Sequence, residues 1–320
     1  MTHPLSTPRL VMGTRGSALA LAQSRQVAAA LQAAQPGLTI EERVIRTTGD
    51  KLQNASLPAI GGKGVFTLEI EQALLNGEID FAVHSLKDLP PQLPPGLTIA
   101  AIPARASASD VCVLHSRWST QPTPQSPQLE FLPVGACIGT SSLRRRAQLL
   151  HLRPDLRMEN LRGNIDTRLR KLEEQGLDAI VLAYAGLNRL GVVPQLMFPL
   201  DERKCVPAPG QGALAIEARG DDEQVAQMLS TLDDAATRAE VTAERATMRA
   251  LNAGCSTPLG ARAVVDGDVL RMWAVILSPD GRRRIFAEAG GATADAASIG
   301  ESVAQQLITQ GARELLPAVA

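Results

Sequence analysis

Aromatic residues make up only 2% of the 320 positions, which leaves few platforms for stacking bases and argues against a single-strand nucleic-acid binder. Neither sign of charge is in surplus. Lys+Arg of 32 against Asp+Glu of 33 give a net charge of −1, so no global field draws the chain to nucleic acid or to an acidic membrane. Any cationic site must be local. Cys112, Cys137, Cys205 and Cys255 show no CxxC spacing, and His3, His84, His115 and His151 form no HxxxH pair. The sequence therefore supports neither a metal site nor a small-protein disulfide framework, and reduced thiols in the cytoplasm are the expectation. No stretch approaches the roughly 20 apolar residues that a membrane span needs. The run from Ala18 to Gln23 could pass for a signal-peptide cleavage region, but Arg15 and Gly16 interrupt the apolar segment before it, so neither export nor membrane insertion is expected.

What is present suits two or three domains, with 45% hydrophobic residues for their cores. Residues 9–14 read as a strand and 17–35 as a helix stopped by Pro36-Gly37, with Gly13-Thr14-Arg15-Gly16-Ser17 between them. A strand that opens a helix in this way exposes unpaired N–H groups that favour an anion. The theme returns at strand Ala136–Gly139, then Thr140-Ser141-Ser142, then a helix from Leu143. The chain is thus expected to hold two related α/β lobes, 6–104 with 212–231 and 108–207, around a ligand cleft. Residues 261–289 alternate like antiparallel strands, with turns at Asp266-Gly267-Asp268 and Pro279-Asp280-Gly281, and a helix near 294–316 completes a third domain over 235–320.

From Ser141 to Arg170 there are eight arginines against three acids. A solvated helix face accounts for Arg146, Arg153, Arg157 and Arg170. Arg162 fits that account poorly, because Leu161-Arg162-Gly163-Asn164 is read as a strand end at the start of the next helix. Arginine also grips a carboxylate with two parallel hydrogen bonds, which lysine cannot do. Lys87 and Asp88, at the end of the strand Asp80–His84, form either an acid/base station or a surface ion pair. Gly61-Gly62-Lys63-Gly64 is not a Walker loop, since Leu57 and Gly64 occupy positions that need Gly and Ser or Thr; it is either a flexible cationic loop or a solvated one. Gly254-Cys255-Ser256-Thr257-Pro258 sets a thiol on a Gly- and Pro-punctuated loop, structural or accessible.

In order along the chain, His84-Ser85-Leu86-Lys87-Asp88-Leu89-Pro90, Gly139-Thr140-Ser141-Ser142-Leu143-Arg144-Arg145, Leu161-Arg162-Gly163-Asn164, Pro209-Gly210-Gln211-Gly212-Ala213 and Gly254-Cys255-Ser256-Thr257-Pro258 resemble the motifs of the porphobilinogen deaminase family. The resemblance implies an α/β fold of three domains: two lobes like type II periplasmic binding proteins around a cleft, and a small C-terminal domain with an antiparallel sheet. It implies a transferase that condenses four porphobilinogen molecules head to tail with loss of ammonia and hydrolyses the product to hydroxymethylbilane. It further implies a dipyrromethane cofactor joined by a thioether to Cys255, with Asp88 as the catalytic carboxylate. Arg15, Ser17, Lys63, Ser85, Lys87, Thr140, Ser142, Arg144, Arg145, Arg162, Gly163, Arg168 and Arg189 match positions that bind cofactor or substrate. Gly61, Gly62, Gly64 and Phe66 match the mobile loop, where Ala59 replaces a second lysine found in some relatives. No metal, nucleic-acid or membrane partner is implied, and a cytoplasmic monomer is expected. The rival readings are a non-catalytic two-lobe carboxylate-binding protein, which has no use for Cys255, and a phosphate-dependent transferase, which would bind nucleotide at Gly61–Gly64.

Overall fold

The computed structural model describes residues 8–51, 67–120, 128–254 and 257–316. The expectations for Ala59, Gly61, Gly62, Lys63, Gly64, Phe66 and Cys255 lie outside these residues. The chain begins with β1 (Arg9–Arg15), α1 (Ala18–Ala34), β2 (Thr39–Ile45), a short α2 (Thr48–Lys51), α3 (Leu68–Leu75), β3 (Phe81–Ser85) and β4 (Leu97–Ala101). There follow β5 (Asp110–Leu114), β6 (Cys137–Gly139), α4 (Leu143–Leu152), β7 (Arg157–Glu159), α5 (Ile165–Glu174), β8 (Ala179–Ala183), α6 (Tyr184–Arg189) and β9 (Met197–Pro199). The last third holds β10 (Leu214–Arg219), α7 (Glu223–Ser230), α8 (Ala235–Ala250), β11 (Leu259–Asp266), β12 (Val269–Leu277), β13 (Arg284–Ala292) and α9 (Ala296–Thr309).

These elements make two compact units, Met1–Arg105 with Ala213–Arg238, and Ala106–Gly212 with Ala239–Ala320. In the first, a five-stranded sheet runs β2-β1-β3-β10-β4. β1 pairs in parallel with β2 and β3, whereas β10 is antiparallel to β3 and β4. The second unit repeats the plan in a sheet ordered β7-β6-β8-β5-β9: β6 is parallel to β7 and β8, and β5 is antiparallel to β8 and β9. The repeated strand–helix signal in the sequence is thus a repeated topology. The short edge strand β9 carries no sequence signal of its own, since three residues are too few to show a period.

Local chemistry explains where the helices begin. Ser17 caps α1 by accepting a hydrogen bond from the Ala20 N–H at 3.3 Å, and Ser142 caps α4 through the Arg145 N–H at 3.4 Å, each satisfying an orphan donor of the first turn. Ala20, Gln23, Val27 and Leu31 recur at helical spacing and turn inward, where Val27 and Leu31 join Leu10, Met12 and Phe81 in the core. The three-stranded sheet β11-β12-β13 is antiparallel throughout, and α9 covers one face through Ile299, Val303 and Leu307. The other face meets the second lobe: Trp273, Val275 and Leu277 of β12 pack with Ala147 of α4 and with Val206. The expected third domain therefore has its own sheet and core while sharing one unit with the second lobe. Its final helix ends at Thr309, earlier than the sequence pattern suggests, because Gly311 turns left-handed at φ 94°.

Candidate functional site

In the first unit the expected residues collect at the carboxyl ends of parallel strands, where open α/β sheets bind ligands. Arg15 ends β1 and is half-buried, and Ser17 opens α1 two residues later. Ser85 ends β3, and its hydroxyl lies 2.9 Å from Nε2 of the buried Gln23 on α1. Beyond it, Leu86–Asp88 form one turn of 3-10 helix. Leu86 and Leu89 are buried on either side, and the Leu86 N–H donates to the Ala213 carbonyl at 3.1 Å. Two apolar anchors thus leave Lys87 half-buried and Asp88 exposed. That placement suits a carboxylate that must meet a ligand.

In the second unit the corresponding positions are Thr140, just past β6, and Ser142, the α4 cap. Thr140 is fixed by its N–H donating to the Glu159 carbonyl at 2.9 Å, and its hydroxyl accepts from the Ser142 N–H at 3.2 Å. Arg144 and Arg145 follow in the first turn of α4, and both are buried. In this structure their guanidiniums serve an internal carboxylate, Asp110 at the start of β5. Arg144 Nη1 lies 2.8 Å from one Asp110 oxygen, and Arg145 Nε and Nη2 donate to the other at 3.1 and 2.8 Å. Arg144 also donates to the Val206 carbonyl at 2.7 Å and Arg145 to the Val181 carbonyl at 2.9 Å. Gln211 Nε2 completes the hub, donating to Asp110 at 2.8 Å and to the Ala108 carbonyl at 2.6 Å. Burial works to raise the Asp110 carboxyl, but the charges and hydrogen bonds of the two arginines outweigh it and hold the group well below the usual carboxylate range.

Arg162 is not at a strand end. β7 stops at Glu159, and Arg162 lies in the loop that leads to α5. That loop turns on Gly163, whose φ is 122° and where a Cβ would sit 2.6 Å from the Thr167 methyl. Side chains of α5 reach back to hold it: Arg168 Nε donates to the Gly163 carbonyl at 2.7 Å and Lys171 Nζ to the Arg162 carbonyl at 3.1 Å.

Arg189 ends α6 and donates from Nη2 to the Gly212 carbonyl at 2.7 Å, while its buried Nε has no hydrogen-bond partner among the described residues. Burial pushes its guanidinium down to about 10. A cation shifted this way by desolvation suits an incoming anion. Gly212 itself is confined, with φ 88° and the Ala106 carbonyl oxygen 2.4 Å from where a Cβ would stand. This explains the glycine of Pro209-Gly210-Gln211-Gly212 as a close backbone approach.

On the flanks of Cys255, Asn252 in the turn after α8 has φ 48°, and the Thr257 N–H donates to the Gly254 carbonyl at 3.0 Å. Gly254 is exposed, whereas Thr257 and Pro258 are buried. Sequence reasoning missed three polar residues of these sites, Asp110, Gln211 and Gln23. A lone acid opening the apolar run Asp110–Leu114 was the available signal for the first, and Gln211 stood inside a motif already noticed. Among the described residues no group of His, Cys, Asp and Glu could hold a metal, and no helix is long and apolar enough to cross a membrane.

A family model described as porphobilinogen deaminase, dipyromethane cofactor binding domain, matches residues 10–227, and one described as porphobilinogen deaminase, C-terminal domain, matches residues 238–309. Porphobilinogen deaminase from Desulforudis audaxviator (strain MP104C) is 47% identical over 310 residues, covering 97% of each chain. The protein of the same name from Roseiflexus sp. (strain RS-1) is 48% identical over 307 residues, covering 96% of this chain and 98% of that one. That of Syntrophobacter fumaroxidans (strain DSM 10017 / MPOB) is 47% identical over 312 residues, 97% of this chain and 98% of its own. Among solved structures, a periplasmic sulfonate-binding protein from Methylobacillus flagellatus KT covers 78% of this chain at 16% identity and a TM-score of 0.36, a likeness too loose to carry weight.

Proposed function

Because the chain belongs to the porphobilinogen deaminase family, we propose that it condenses four porphobilinogen molecules head to tail, releases ammonia at each step and hydrolyses the product to hydroxymethylbilane. The chain is an enzyme, a transferase of tetrapyrrole biosynthesis, and its cofactor is a dipyrromethane. The pyrroles of substrate and cofactor carry acetate and propionate side chains, so each added ring brings two carboxylates to be held. The donor set fits that demand. The observation that carries the fit is Arg189, a half-buried guanidinium whose buried Nε has no hydrogen-bond partner among the described residues and whose pKa desolvation lowers.

When bound, the cofactor supplies the pyrrole carbon from which the product chain grows. In this reading Cys255 anchors it through a thioether and takes no part in turnover. Arg15, Ser17, Ser85, Lys87, Thr140, Ser142, Arg162, Gly163, Arg168 and Arg189 hold carboxylates by charge and hydrogen bonding, and Lys63, with Gly61, Gly62, Gly64 and Phe66, belongs to a loop that covers the ligand. Arg144 and Arg145 contribute by fixing the α4 cap through Asp110 and by the positive field they add. Asp88, exposed at the end of its turn, assists departure of the substrate's amine and stabilises the positive charge that develops on the pyrrole nitrogen, a task for preorganised negative charge. The enzyme works as a cytoplasmic monomer in this reading. Its free Cys112 and Cys205 are buried, and its exposed large apolar residues, such as Val134 and Val193, are scattered along the sequence.

The test is Asp88→Asn, which preserves shape and removes the charge. Porphobilinogen consumption should fall by at least about 100-fold, with the mass of the purified protein unchanged. Near-normal consumption would remove Asp88 from the mechanism.

A further inference from the structure

One face of the first sheet, beneath α3, carries a polar cluster that the mechanism above does not use. His84 lies on β3 immediately before Ser85, and Glu217 lies on the adjacent β10, opposite Ala82. Glu71 comes from α3, whose Ile70, Ala73 and Leu74 pack on the same face against Ile79 and Ala82. Relative exposures are 4% for Glu71, 6% for His84 and 0% for Glu217. His84 Nε2 stands 3.0 Å from a Glu217 oxygen. Yet that nitrogen, both Glu217 oxygens and one Glu71 oxygen make no hydrogen bond among the described residues.

An ionised carboxylate is costly in a dry site without its own cation, and the one imidazole here already faces Glu217. The charged neighbours on the packed elements are committed elsewhere. Arg219 of β10 donates to the Leu74 and Ile79 carbonyls at 2.9 and 2.7 Å and pairs with Asp80 and Asp222. Glu69 of α3 accepts from the Thr48 backbone and hydroxyl at 2.8 and 2.5 Å. We propose that the buried Glu71 carboxyl carries a proton beside the His84–Glu217 pair in place of a buried cation, and that this proton seats the turn bearing Lys87 and Asp88. The three residues are positioning residues, and the inference rests on the reading of Asp88 as the catalytic carboxylate.

Burial raises the Glu71 carboxyl above its ordinary range and Glu217 adds to the rise, outweighing the Thr67 hydroxyl and His84, which act the other way. A group whose folded value is raised contributes stability that is fully present below its unfolded value and is lost as pH rises through the folded one. Loss of the proton places like charges between α3 and the β3–β10 pair, and β3 continues directly into Ser85 and the Leu86–Asp88 turn. Turnover should therefore fall on the alkaline side when the cluster ionises.

The experiment combines two readouts on the full-length, cofactor-bearing protein. Infrared difference spectra at neutral pH should contain a protonated-carboxyl band that disappears in Glu71→Gln. The rate of porphobilinogen consumption should fall with rising pH by about tenfold per unit beyond the ionisation, Glu71→Gln should flatten that limb, and Glu71→Asp should restore it. An unchanged band or an unchanged limb in a folded Glu71→Gln protein overturns the proposal. If the native protein consumes no porphobilinogen, the functional reading fails instead, and the infrared band alone decides whether the proton is there. Should Glu71→Gln not fold, Glu217→Gln answers the same question, since it removes the second charge and must also flatten the limb.

Discussion

The molecule buries carboxylates in two places and neutralises them in two ways. Around Asp110, two guanidiniums and the Gln211 amide meet the two oxygens. Around Glu71 and Glu217 there is one imidazole and, among the described residues, no lysine or arginine within ion-pair distance. The first arrangement keeps its charge and its geometry across ordinary pH; in the second, the raised Glu71 carboxyl takes a proton. The equivalent place in the repeated sheet plan sharpens the contrast, because β5 and β10 are the matching antiparallel strands. One strand brings a carboxylate fixed between two guanidiniums, and the other brings Glu217, which faces an imidazole and adds to the rise of the Glu71 carboxyl.

The largest expected effect comes from breaking the first arrangement. Asp110→Ala strands two buried cations and should cost about 3–5 kcal/mol, read as a lower midpoint in denaturant unfolding. A loss under about 1 kcal/mol would mean that the arginines find other partners and that the hub is not what fixes α4. Next is Gly212→Ala, which forces a Cβ against the Ala106 carbonyl at a left-handed position and displaces the neighbouring Gln211 from Asp110. About 1–3 kcal/mol is expected, with the Glu71 cluster untouched.

The smallest effect is a difference in pH dependence. Asp110, with its folded value depressed, contributes stability that is present above its unfolded value and is lost as pH falls through the folded one. Glu71, with its value raised, loses its contribution as pH rises. Glu71→Gln should therefore leave the acid side of the stability profile unchanged and make the alkaline side flatter than in the native protein. A steeper alkaline side would reverse the assignment.

Much of this was legible in the sequence. The strand–Gly–Thr–Ser–helix signal announced both capped helices and the repeated lobes, because a cap and a helical period are local properties. The positions of Arg15, Ser17, Thr140 and Ser142 beside strand ends followed from the same signal, and Ser85 from the end of the strand Asp80–His84. What escaped was non-local. The eight arginines between Ser141 and Arg170 looked like a surplus because Asp110 is 35 residues from Arg145 in the chain, and nothing in either segment shows that they meet. His84 stood in a recognised motif, but its burial against Glu71 and Glu217 depends on how α3 and β10 pack. Arg162 was set at a strand end because β7 is only three residues long, too short for its boundary to be read from alternation.

The account turns on Cys255 as the anchor of the cofactor, and the mass of the intact, freshly purified protein tests that most directly. The native chain should be heavier than its sequence by one dipyrromethane, and Cys255→Ser should show the bare sequence mass. An unmodified native chain with full activity, or a Cys255→Ser chain that still carries the adduct, would contradict it.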